Sequence, residues 1–205
     1  MELETLKQRA MGCQQCVLRQ QAKQVVFGEG NAAAKLMLVG EAPGAHEDEQ
    51  GRPFVGAAGQ LLDRILEAAG FKRQEVYITN VVKCRPRNLT LANGRYRGGS
   101  SNRPPTAAEI KACLPWLEEQ IAIIKPRIIV CLGAHATRAL IAEDARITRL
   151  RGQWITKGGI RYLPTYHPAA LLRDPARKRP VWEDFKKIRE AYRVEITEQL
   201  TFFNS

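Results

Sequence analysis

Two short runs of almost unbroken apolar character, Lys35–Gly40 and Arg127–Leu132, constrain the fold of this 205-residue chain more than any other feature. Each is long enough for a strand and too short for a helix, and a strand apolar on both faces must be covered on both. Val76–Val82 and Ile160–Thr165 read as two further strands. Helical patterns lie between them. Ala57–Ala69 places Leu61, Leu62, Ile65 and Leu66 on one face and stops at Gly70, and Thr106-Ala-Ala-Glu109 is a capping box opening a helix that carries Cys113, Leu117, Ile121 and Ile124. Gly133–Ala142 reads as a short helix, and Val181, Phe185, Ile188 and Tyr192 mark a last one from about Val181. The alternation predicts an α/β fold, a three-layer α/β/α sandwich around a central, mostly parallel four-stranded sheet. One domain spans residues 1–205, with an inserted loop at 88–103 and a flexible tail at 195–205. Ligands of such sheets gather beyond the carboxyl ends of the strands.

The formal charge of +11 is concentrated in two blocks. Lys83–Lys111 holds seven Lys/Arg against one acid, and Arg146–Arg193 holds thirteen against four, while the remainder is slightly acidic. A polyanion is the natural partner, because neutralised phosphates release condensed counterions; a solvated basic surface is the plainer alternative. No apolar run is long enough to span a bilayer. Met1-Glu-Leu-Glu-Thr lacks the basic and apolar regions of a secretory leader, so the expectation is a cytoplasmic protein with no membrane partner and no signal peptide.

In that compartment spaced cysteines point to metal or catalysis rather than disulfides. Cys13 and Cys16 form a Cys-x2-Cys pair, Cys84 follows the second strand, and Cys113 sits in the capped helix. Together they can complete a tetrathiolate, as Zn(Cys)4 or as a [4Fe–4S] cluster, and spacing does not choose between these. Cys131, inside Ile128-Ile-Val-Cys-Leu132, reads as a core residue.

Three segments converge on one edge of the predicted sheet. Gly40-Glu-Ala-Pro-Gly44 turns sharply and can present backbone N–H groups. Asn80, near a strand end, carries a donor and an acceptor, which suits a base edge with a carbonyl beside an N–H. His167-Pro-Ala-Ala-Leu-Leu-Arg173 follows the fourth strand and places a histidine where it can donate to developing negative charge. Phe54, in Gly51-Arg-Pro-Phe-Val-Gly56, is either core or an aromatic platform. Each has a plain structural reading as turn, cap or packing residue; jointly they do not.

These motifs, with Tyr77-Ile-Thr-Asn-Val-Val-Lys-Cys-Arg-Pro86 and the four cysteines, resemble the iron–sulfur uracil-DNA glycosylases, family 4 of that superfamily, over nearly the whole chain. The resemblance implies a DNA repair hydrolase that flips deoxyuridine out of single- or double-stranded DNA, cleaves the N-glycosidic bond, and releases free uracil beside an abasic site. It turns the cofactor towards a structural [4Fe–4S] cluster on Cys13, Cys16, Cys84 and Cys113, ahead of zinc. It implies Phe54 stacking on uracil, Asn80 reading O4 and N3–H, His167 donating near O2, backbone N–H groups in Glu41–Gly44 stabilising the uracil anion, and Ala42 and Pro43 among the substrate-binding residues. Leu171 takes the wedge position. Relatives have an Asp where Ala42 stands, so Glu41 is the first candidate to handle the water and Glu47 the second. The segment Asn88–Arg103 is longer than the family pattern, and its Arg95, Tyr96 and Arg97 are candidates for DNA contact. Two alternatives stay open: a covalent uracil-DNA-capture relative, disfavoured because the only histidines are His46, His135 and His167, and a catalytically silent metal-containing DNA-binding module. A monomer is the default.

Overall fold

The computed structural model of the chain describes residues 2–92 and 95–203, with side chains throughout these except in 89–100 and 196–203. The chain opens with α1 (Glu2–Met11) and the single turn α2 (Leu18–Gln21), then enters the sheet through β1 (Glu29–Gly30) and β2 (Leu36–Gly40). Helices α3 (Ala45–Gln50) and α4 (Ala57–Ala68) lead to β3 (Tyr77–Asn80). A separate antiparallel ribbon follows, β4 (Arg87–Ala92) with β5 (Arg95–Asn102), and α5 (Ala107–Ile124) returns the chain to β6 (Ile128–Leu132). Helices α6 (Ala134–Leu140) and α7 (Ile147–Leu150) precede β7 (Ile155–Lys157) and β8 (Ile160–Thr165); α8 (Pro168–Arg173) and α9 (Lys178–Phe203) close the chain.

The main sheet runs β1-β3-β2-β6-β8-β7. Its four inner strands are parallel and are the four predicted ones, in register through Leu38 with Ile78 and Val130, and Val130 with Leu163. The expected four strands become six because β1 and β7 pair antiparallel at the two edges. Strands this short show no periodicity to read. The Gly158-Gly159 turn between β7 and β8, with φ of 59° and 77°, is the one local signal that marks this hairpin.

Alternation along the strands splits the core into two layers. Met37, Val39, Ile129 and Cys131 face α1, α5 and α6 with Leu6, Leu117 and Ala136. Leu36, Leu38, Ile128 and Val130 face α4, α8 and α9 with Leu62, Leu171 and Phe185. Each buried leucine contributes about 1.5–3 kcal/mol of transfer free energy. Cys131 lies in the first layer, fully buried as a core residue.

The segment 88–103, expected as an inserted loop, carries the β4–β5 ribbon; the side chains of Arg95, Tyr96 and Arg97 lie outside the described residues. The expected tail is helical in its backbone through Phe203, since no Gly or Pro after Pro180 interrupts good helix formers. The capping box forms as predicted. Thr106 Oγ1 accepts from the Glu109 amide at 3.2 Å, and Glu109 Oε2 accepts from the Thr106 amide at 2.8 Å. Glu109 also grips Arg103 through both oxygens at 2.6 and 2.8 Å, which fixes the chain where the ribbon rejoins the body. Among the described residues no helix is long and apolar enough to cross a membrane.

Candidate active site

A cavity of about 440 Å³ opens beyond the carboxyl ends of β2, β3 and β8. Glu41, Ala42, Pro43, Phe54, Asn80 and His167 all line it, together with Glu47. Asn102, Arg103 and Pro104, from the end of the ribbon, add to the wall.

Asn80 ends β3 and is 1% exposed, and its Oδ1 has no hydrogen-bond partner among the described residues. A buried acceptor without a donor costs about 1–3 kcal/mol, so the position is held for something. Its backbone is fixed by Lys83, whose buried ammonium donates to Asn80 O at 2.7 Å, Thr79 Oγ1 at 2.7 Å and Gln120 Oε1 at 2.6 Å. Three acceptors satisfy three donors, and burial pulls the Lys83 pKa down to about 7. Gly40 is required beside Asn80: a Cβ there would stand 2.4 Å from Asn80 Oδ1 and 2.6 Å from Phe54 Cζ.

Phe54 holds a left-handed backbone at φ 51°, a conformation worth about 1–3 kcal/mol of strain in a bulky residue. Glu47 holds the segment there. Its Oε1 accepts from the amides of Val55 and Gly56, both at 2.9 Å, and its Oε2 accepts from the Gly44 amide at 3.0 Å. One carboxylate therefore ties the turn after β2 to the Phe54 segment. Phe54 faces the His167 ring at 5.5 Å between centroids, with 28° between planes.

His167 caps α8, its Nδ1 accepting from the Ala169 amide at 3.1 Å. Nδ1 is thus unprotonated and the ring proton sits on Nε2. Burial, reinforced by the Arg173 cation and opposed by Glu47, lowers its pKa to about 4, so the ring is neutral at physiological pH. Glu41 is the reverse case: burial pushes its carboxyl above the usual carboxylate value, while His135 Nε2, 3.8 Å from Oε1, pulls it back. His135 was missed from sequence, although Gly133 and the following helix mark it as another residue just beyond a strand end.

Leu171, expected at the wedge position, is 1% exposed and packed in the core with Leu62 and Phe185, whereas Leu172 beside it is 47% exposed. Both lie on helix α8, and a single step along a helix turns one leucine inward and the next outward. The anion site is also narrower than predicted, because Pro43 has no N–H and that of Gly44 is taken by Glu47, leaving Glu41 and Ala42. Lys83 and Arg85, counted in the first basic block, are 1% and 7% exposed.

The model of the uracil DNA glycosylase superfamily matches residues 27–186. The chain belongs to this superfamily. It is similar to the type-4 uracil-DNA glycosylase of Sulfurisphaera tokodaii, 46% identical over 92% of this chain and 84% of that one. It is likewise similar to those of Saccharolobus solfataricus, 42% identical over 92% and 86%, and Thermotoga maritima, 41% identical over 94% and 96%. The superfamily match spans the whole pocket, from the strand before Glu41 to the helix after His167.

A second site of this glycosylase-superfamily chain lies apart from the pocket wall. Cys13, Cys16, Cys84 and Cys113 line one small cleft with Arg19, Lys83 and Trp116. Cys84 and Cys113 are buried and Cys13 and Cys16 half-buried, and the Lys83 amide donates to Cys113 Sγ at 3.2 Å. Burial and the neighbouring thiols push the Cys84 pKa up to about 12. The four thiols share the cleft without closing on one point: among the described residues no three metal-ligating side chains are grouped to hold a single ion.

Proposed function

We propose that the chain hydrolyses the N-glycosidic bond of deoxyuridine in DNA, releasing free uracil and leaving an abasic site. The unpartnered, buried Asn80 Oδ1 in the pocket carries this reading. Uracil offers an N3–H donor beside its O4 acceptor, the complement of an Asn amide. Cytosine offers the opposite pattern and leaves both groups of Asn80 opposed. Phe54 supplies the aromatic face on which the flipped base stacks.

A base in the stack is out of reach, so the nucleotide leaves it at a cost of a few kcal/mol. Leu172, not Leu171, is the exposed apolar residue on α8 suited to the vacated space. Arg173 lines the pocket wall and supplies a cation for a phosphate there. Bond cleavage builds negative charge on uracil. His167 donates its Nε2 proton in a hydrogen bond to O2, as a neutral ring, with the amides of Glu41 and Ala42 beside it; a preorganised donor of this sort is worth about 3 kcal/mol. Glu41 positions the water. Glu47, saturated by three amides, holds the two loops instead. All of these groups come from one chain, so a monomer suffices.

Cys13, Cys16, Cys84 and Cys113 hold a structural [4Fe–4S] cluster in this reading. The donor set fits: four thiols, no carboxylate and no imidazole in one cleft. Zinc bonds of about 2.3 Å would draw four thiolates onto one centre. A four-iron cluster, larger than a single ion, would fit four thiols spread around one cleft. Through these four residues a bound cluster would tie together the segment between α1 and α2, the segment after β3, and α5.

Incubation of the iron-replete protein with uracil-containing oligonucleotides, then alkali, is expected to cut the strand at uracil, in single strands and duplexes. A fully loaded, brown preparation that leaves these strands intact would overturn the glycosylase reading. A colourless zinc protein that cuts them would overturn only the cluster.

A further inference from the structure

The cysteine cleft contains two buried donors that nothing satisfies. Trp116 is 7% exposed, and its indole Nε1 has no hydrogen-bond partner among the described residues; the same holds for Arg19 Nε. Both side chains line the cleft with the four cysteines. Both atoms are obligate donors, with no lone pair to offer. The remaining polar partner in the cleft is of the same kind, the Lys83 amide on Cys113 Sγ at 3.2 Å. The unpaired buried groups of the cleft are both donors awaiting an acceptor, and the acceptor its buried side chains supply is sulfur, since Gln15 at its edge is exposed.

Both donors are held in place from outside the cleft. Arg9 of α1 lies 5.5 Å from the centroid of the Trp116 ring and is itself anchored on Glu119 at 2.9 Å, one turn further along α5. Arg19 spends one end of its fork on the Ala22 carbonyl at 3.4 Å, which leaves Nε facing inward and buried. Neither group is free to turn to solvent without breaking these contacts.

We infer that the Trp116 indole N–H and the Arg19 Nε–H donate hydrogen bonds to sulfur of the cluster, and that these two bonds set its reduction potential and its resistance to loss. The inference rests on the cluster reading given above. Thiolate ligands and sulfide carry net negative charge that grows on reduction, so donors aimed at sulfur stabilise the reduced form most. Trp116 and Arg19 are positioning residues of the cluster; neither touches uracil.

The test uses the anaerobically purified holoprotein. Trp116→Phe keeps the ring and removes only the donor; Arg19→Gln removes the Nε–H and the charge, leaving a shorter neutral amide in their place, and Arg19→Lys restores the charge without the planar fork. The midpoint potential is expected to fall in Trp116→Phe and further in Arg19→Gln, with Arg19→Lys between Arg19→Gln and the parent. The Fe–S stretching bands in resonance Raman shift, and the half-life of the cluster under chelator shortens at least twofold. Potentials and bands equal to the parent in Trp116→Phe and Arg19→Gln overturn the inference. A measurement on the parent guards against variants that fail to load. Of its three tryptophans, one indole N–H, that of Trp116, is expected to be hyperfine-shifted by the cluster in a 15N-labelled sample. Three indole signals with ordinary shifts and widths overturn it equally. Absence of iron and acid-labile sulfide from the parent would instead defeat the cluster reading itself.

Discussion

The pocket and the cysteine cleft lie at either end of one short stretch, Asn80 to Cys84, and are unsatisfied in opposite senses. The pocket buries an acceptor without a donor, Asn80 Oδ1; the cleft buries donors without an acceptor, Trp116 Nε1 and Arg19 Nε. Buried polar groups are nearly always paired, so the sign of each deficit describes the missing partner. One site awaits an N–H, the other an electron-rich sulfur. Lys83 connects them, its amide on Cys113 and its ammonium on the Asn80 carbonyl, so Asn80 is tied to the segment that carries Cys84.

The strongest way to break this contrast is to reverse the polarity of the pocket. Asn80→Asp puts an acceptor opposite uracil O4 while keeping size and shape. A site built to hydrogen-bond its substrate and then mispaired loses discrimination on the order of 10⁴-fold, and kcat/KM for uracil is expected to fall by about 10³- to 10⁴-fold with Tm near that of the parent. A variant within tenfold of the parent, measured by alkali cleavage under single-turnover conditions, would show that the missing partner is not the uracil edge.

The sheet was legible because its four parallel strands are apolar on both faces and punctuated by glycines and caps. The edge strands were not, since two or three residues carry no period. Pocket residues were legible as a set because each follows a strand, which places it at one edge of the sheet whatever its side chain does. Their pairing was not. Nothing in the sequence near Asn80 says that its oxygen lacks a donor, and nothing near Glu47 says that three amides converge on it, because those partners come from distant segments. Leu171 and Leu172 are adjacent and chemically identical, and only the helix that forms there separates core from surface. Lys83 was read as part of a basic face; the structure buries it among Thr79, Asn80 and Gln120.

Glu47 sharpens the contrast from inside the pocket, since its carboxylate is saturated where Asn80 is not. Glu47→Gln keeps an oxygen for Val55 and Gly56 but turns an NH2 group towards the Gly44 amide. Mispairing a charged, part-buried acceptor costs about 2 kcal/mol, and Tm is expected to fall by about 4–8 °C. Excision at low temperature stays within about tenfold of the parent. A loss of 10³-fold with unchanged Tm would make Glu47 the base and return Glu41 to a lesser role.

The smallest effect is the most specific, because it separates the two titrating groups of the pocket by sign. His167 is held neutral, its pKa near 4 against an ordinary imidazole value of about 6.5. Between those values the unfolded chain binds more protons than the folded one. His167 therefore contributes stability that is full above pH 6.5 and is lost as pH falls towards 4. Glu41 is shifted upward, so the folded protein keeps its proton to higher pH than an exposed carboxylate does, and excision rises with pH as Glu41 ionises. The acid limb of kcat/KM is then expected above the usual glutamate range, absent in Glu41→Gln and still present in His167→Ala at its lowered rate. Tm of His167→Ala should fall less steeply than that of the parent as pH drops from 6.5 to 4. A limb near pH 6.5 that survives Glu41→Gln and vanishes in His167→Ala would mean that His167 titrates as an exposed histidine, and the neutral donor on which uracil anion stabilisation depends would have to be given up.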